Sequence, residues 1–174
     1  EANNRYRRKQ ATKVAGGISH RDSNKTIGET KGTDKITVEN VNVQTGEATV
    51  SNNIGSGIKI FTPIESNVEP DKLYVNAVET ISSGALWEPC LTSPSDSNHS
   101  TGVHLNKYHD FYTKIYSQAK SALPLEGLDL LLWALAAAEH KNTDPELKVM
   151  WEDIRDEVSS NLKKLLRSTD IPSS

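Results

Sequence analysis

The chain has 174 residues, 35% of them hydrophobic and 25% charged, with a formal net charge of −3. That length makes one domain, or one domain with an appendage. The single cysteine, Cys90, excludes an internal disulfide framework, and the longest apolar run, Leu128 to Ala138, is broken by Asp129 and too short to span a bilayer.

The charge is unevenly placed. Residues 1–60 carry ten Lys/Arg against six Asp/Glu, and residues 61–174 carry ten against seventeen. From Glu1 to Gly57 there is no Leu, Phe, Trp, Met or Cys. Glu1 to Thr33 shows neither a helical nor a strand period and is interrupted by Gly16, Gly17, Gly28 and Gly32. Such a segment cannot offset the entropy of its own ordering, so the expectation is a basic arm that another surface holds. Its densest run, Arg5, Tyr6, Arg7, Arg8 and Lys9 with Lys13 after it, has the cations to neutralise phosphates and an aromatic ring to stack on a base. The plain alternative is a solvated charged terminus.

Ile36 and Val38, then Val41 and Val43, alternate with polar residues, with a break in register near Asn40. Gln44-Thr45-Gly46-Glu47 supplies a turn, and Ala48-Thr49-Val50 follows, so residues 35–50 are expected to form a β-hairpin with a bulge. A lone hairpin is marginal in water. It needs cover from its own chain or from another subunit, which makes Ile36, Val38, Val41, Val43 and Val50 the expected subunit contact. Residues 51–57 read as a flexible joint, and Ile58, Ile60 and Phe61 as one more short strand.

The rest reads as helical. A helix is expected from Ser66 or Asn67 to Gly84, with Pro70 in its first turn and strand as the alternative for Leu73 to Val78. A Ser- and Pro-containing loop is expected over residues 85–102. Leu105, Tyr108, Tyr112, Ile115, Tyr116 and Ala119 then share one helical stripe, and Leu125 to Glu139 is apolar almost all round, as at the centre of a bundle. Thr143-Asp144-Pro145-Glu146 matches a capping box opening the last helix, whose apolar stripe is Leu147, Met150, Trp151, Ile154, Val158, Leu162, Leu165 and Leu166. The expected fold is therefore α+β: a mainly α-helical bundle of about four helices over residues 58–174, with an extended N-terminal arm, residues 1–57, that contains the hairpin.

Chemistry is sparse. Cys90, His99, His104 and His109 are natural zinc ligands, but they are separated by eight, four and four residues rather than by the short gaps of zinc knuckles. Cys90 beside Pro89 lacks the helix N-terminus that activates a thiol. No phosphate loop, dinucleotide fingerprint, nucleophile elbow or His-Glu-x-x-His motif is present. The expectation is a non-enzymatic structural or assembly subunit, coat- or filament-like as in a virion, with no metal or other cofactor. It forms homo-oligomers through an exchanged arm and contacts nucleic acid through its basic N-terminus. No signal peptide is visible, so a location inside the cell or in a virion is expected. A monomeric adaptor whose helices bind a partner peptide is the alternative, and a zinc-binding protein built on residues 90–109 a weaker one.

Overall fold

The computed structural model describes residues 18–30, 36–119, 122–142 and 144–171; the basic run from Arg5 to Lys13 lies outside them. Among the described residues the elements are α1 (Arg21–Glu29), β1 (Thr37–Asn42), β2 (Glu47–Ser51), β3 (Ile58–Phe61), β4 (Ile64–Glu65), β5 (Val75–Val78), β6 (Trp87–Thr92), β7 (Ser100–Asn106), α2 (Ala122–Asn142) and α3 (Lys148–Arg167). A 3-10 turn, Pro70–Lys72, precedes β5, and a π-helical turn, Tyr112–Tyr116, follows β7. The fold is α+β with two sheets, not the mainly helical bundle that periodicity suggests.

The first sheet is the antiparallel meander β1-β2-β3. The hairpin forms where alternation places it, Gly46 takes the positive φ its turn requires, and the register shift falls between Val38 and Asn40. Its cover comes from its own chain. Ala48 and Val50 of β2 are buried with Ile36, with Ile60 of β3, with Ile64 of β4 and with Leu91 of β6. Residues 51–57 are pinned as well: Asn52 and Asn53 donate to the His140 and Lys141 carbonyls, two of the groups that the C-terminus of α2 leaves without helical partners.

The second sheet, in the order β4-β6-β7-β5, occupies the stretch expected to be helix, loop and helix. β6 and β7 pair antiparallel, β4 lies parallel to β6, and β5 lies parallel to β7. Almost every residue of β6 and β7 is buried, on both faces. Strands covered on both sides carry no alternation to read, and Pro89 and Gly102 look like breakers. Pro89 is tolerated because β4 ends short of it, and its carbonyl takes a hydrogen bond from Thr62. Gly102 is needed because a Cβ there would meet Cys90 Sγ and the Leu73 carbonyl oxygen, each at 3.1 Å. Within Leu73 to Val78, residues Val75–Val78 become a strand because β7 offers them a parallel partner, and Leu105 lies in β7 rather than opening a helix. Gly84 has the expected left-handed conformation, but it closes a turn rather than a helix.

The main core lies between the second sheet, α1, the π-helical turn and α2. It holds Ile27, Val75, Leu86, Trp87, Val103, Leu105, Tyr112, Tyr116, Leu125, Leu132, Trp133 and Ala136. α1 belongs to the segment without apolar period, yet it is ordered by the chain itself, through the buried Ile27 and a set of polar anchors. The Asn24 amide donates to the Asp71 and Val75 carbonyls, and its own carbonyl accepts from the Tyr74 and Val75 N–H groups. Asn24 thus acts as an extra strand partner at the start of β5. Asn24→Ala leaves buried donors and acceptors unsatisfied, at about 3 kcal/mol in total; the expected outcome is a lowered urea midpoint and faster proteolysis within residues 21–29.

Candidate functional site

The four expected metal-ligand candidates separate in the structure. His99 accepts or donates through Nε2 to Ser66 Oγ at 3.1 Å. His109 donates from Nε2 to the Ser159 carbonyl at 2.9 Å and accepts the Phe111 N–H on Nδ1 at 3.1 Å. Burial lowers the pKa of both rings. Cys90 and His104, on adjacent strands, remain neighbours. Cys90 is fully buried, and that burial raises its thiol pKa, the opposite of what nucleophilic activation requires. Burial opposes the charged form of His104, but Cys90, Glu65 and Glu88 together more than offset it and raise its pKa. The two carboxylates stand at 3.4 Å from Nε2 and 3.8 Å from Nδ1, and His104 in turn holds Glu65 below the usual carboxylate range. Among the described residues no cluster of three His, Cys, Asp or Glu side chains is arranged to hold a metal ion.

A second constellation has no trace in any sequence motif. Asp129, in the middle of α2, is buried and accepts hydrogen bonds from Ser23 Oγ at 2.6 Å and Tyr116 Oη at 2.9 Å, and it lies 2.7 Å from His20 Nδ1. His20 Nε2 meets the Tyr112 hydroxyl at 2.9 Å. Tyr112 and Tyr116 stack with centroids 4.7 Å apart. Burial and the neighbouring Asp129 raise both phenol pKa values. The group resembles a proton relay in composition, but every member is buried and bonded to the others, which suits it to fixing α1 against α2.

A cleft of about 620 Å³ opens between the β1–β2 turn, β3, the start of β6 and the facing ends of α2 and α3. Its charges are committed to one another. Arg155 Nη1 reaches Glu139 at 2.5 Å, Lys148 Nζ donates to the Phe61 carbonyl at 3.1 Å and lies over the Phe61 ring, and Glu88 faces His104. Burial raises the Glu139 pKa against the pull of Arg155. His140 also lines the cleft. Thr101 Oγ1 fixes its Nδ1 at 2.9 Å, and burial, with Arg155 adding, brings its pKa down to about 4. This arrangement offers paired charges.

The most conspicuous surface is elsewhere. Only part of the apolar stripe read for the last helix faces outward: Met150, Ile154, Val158 and Leu165 are 40–65% exposed, whereas Leu166 is buried and Leu162 packs against the main core. α3 docks through the adjacent face, which carries Leu162 and Leu166 together with polar contacts. Ser159 Oγ accepts the Leu86 N–H, the Ser159 carbonyl accepts from His109, Arg155 pairs with Glu139, and Lys114 donates to the Leu166 carbonyl. α2 is covered on one side only, leaving Leu123, Leu131 and Leu135 exposed. Of the expected subunit-contact residues, Ile36 and Val50 are buried within the chain, Val38 and Val41 are half-buried against the same cluster, and Val43 is exposed. No helix among the described residues is long and apolar enough to cross a membrane. The chain matches no family model, no curated protein and no solved structure.

The histidines set the acid side of stability. Unfolded, His140 takes up a proton near pH 6.5; folded, it resists protonation to about 4. Between those values the unfolded chain binds the extra proton, so stability falls as pH falls, by about 3 kcal/mol for this shift. His99 and His109 act in the same direction. His104, protonated in both states below pH 6.5, adds no slope there. Urea unfolding at pH 6.5, 5.5 and 4.5 is expected to show that decline, and His140→Gln to flatten it.

Proposed function

We propose that this chain is a non-enzymatic assembly subunit, a building block of a homo-oligomer. The observation that carries the reading is the presence of two uncovered apolar faces on different helices: Leu123, Leu131 and Leu135 on α2, and Met150, Ile154, Val158 and Leu165 on α3. Contiguous exposed apolar surface on a small domain marks an interface. Two such faces per copy allow growth beyond a dimer, because a subunit joined through one still presents the other. The committed charges of the cleft and the buried thiol support the same reading, since neither offers a group poised for chemistry on a bound molecule.

The hairpin and α1 are packed into their own chain, so in this proposal the helices supply the principal contacts between copies. The basic run Arg5, Tyr6, Arg7, Arg8, Lys9 and Lys13 retains its proposed role as a salt-sensitive contact to nucleic acid. The opposite charges of residues 1–60 and 61–174 favour attraction between copies.

Light scattering over a wide concentration range, with absorbance at 260 and 280 nm, tests the reading. The expected result is a native mass that rises with concentration in steps of 19.2 kDa. Leu131→Glu with Leu135→Glu is expected to stop growth while shifting unfolding by only about 0.5 kcal/mol, as for exposed positions. A constant monomer mass throughout overturns the proposal.

A further inference from the structure

We infer that α3 pairs antiparallel with α3 of a second copy, about a two-fold axis between Val158 and Asn161; the inference rests on the assembly reading and specifies one contact within it. Met150, Ile154, Val158, Asn161 and Leu165 follow one another at the helical repeat and are all exposed. The charges along the helix are divided by sign. Asp153 and Glu157 flank the stripe in its N-terminal half, and Lys164 flanks the same side in its C-terminal half. Among the described residues Asp153 and Lys164 form no ion pair, and Glu157 accepts only from Asn161.

Reversing one helix against the other matches both patterns in a single register. Ile154 meets Leu165 of the second copy, and Val158 meets Asn161. In an antiparallel two-fold pair the same flank of each helix comes together. Lys164 of one copy therefore falls at the level between Asp153 and Glu157 of the other, and the relation repeats across the axis. The apolar match and the charge match are independent requirements, and one register satisfies both. A parallel pair sets Lys163, Lys164 and Arg167 beside the same residues of the second copy, with no carboxylate between residues 158 and 167 to meet them.

The orientation is read by thiol crosslinking. Cys90 is buried and contributes no reactive thiol. An equimolar mixture of Ile154→Cys and Leu165→Cys chains, both changed at exposed positions, is expected to give a crosslinked dimer under mild oxidation, with little from either chain alone. Lys164→Glu is expected to weaken self-association about fivefold, as is Asp153→Lys with Glu157→Lys, and an equimolar mixture of these two opposite-charge variants to recover it. Ile154→Cys chains that crosslink to themselves overturn the antiparallel geometry. A native mass that still rises with concentration, but with neither mixed crosslinking nor charge rescue, removes this contact and leaves the assembly reading standing. A monomer at every concentration removes both.

Discussion

The buried carboxyl of Asp129 decides how the two ends of the fold meet. A carboxyl group inside a protein is costly unless donors surround it, and here Ser23, Tyr116 and His20 do so. Two of those three belong to the start of the described chain, and the third to the π-helical turn after β7. The polar requirement of one residue in α2 therefore recruits α1 and stacks the Tyr112 and Tyr116 rings beside it. Asn24 completes the attachment by pairing with the backbone at the start of β5. A segment with little hydrophobic content is thus held by hydrogen bonds that are satisfied only in one arrangement.

The same logic governs α3. Its inner face combines Leu162 and the buried Leu166 with polar contacts: Ser159, Arg155 and the Leu166 carbonyl bond to Leu86, α2 and the π-helical turn. With those contacts directed inward, the apolar residues on the flank of the helix turn out to solvent. A helix that buries one narrow apolar row and leaves a second one exposed carries more apolar surface than its own domain covers. That surplus is what connects the fold to the assembly reading, since the exposed side chains gain their burial only from another molecule.

Several elements were legible in the residues before any coordinates. Alternation and the Gly46 turn located the hairpin, its bulge and the following strand, and the apolar stretch around Asp129 located α2. The last helix was also evident, although of its stripe Leu162 and Leu166 point inward while Met150, Ile154, Val158 and Leu165 do not. The second sheet was hidden for a physical reason. β6 and β7 are covered on both faces, so their residues have no period, and the Pro and Gly within them mimic a loop. The candidate zinc set looked contiguous because its members are close in sequence, whereas the strands of β6 and β7 and the turn beyond carry them to different neighbours. The cleft residues Glu88, Glu139, Lys148 and Arg155 come from three separate elements and share no motif.

Composition and pattern alone determined the sign split along the chain, the absence of a disulfide framework, the hairpin and the two long helices, because each depends on local sequence or on simple counts. Only the tertiary structure decided that the N-terminal helix is clasped by Asp129 and Asn24, that residues 87–92 and 100–106 are strands, and that Met150, Ile154, Val158 and Leu165 of α3 face solvent. Those outcomes depend on which distant groups satisfy a buried donor or acceptor, and no local periodicity encodes that choice.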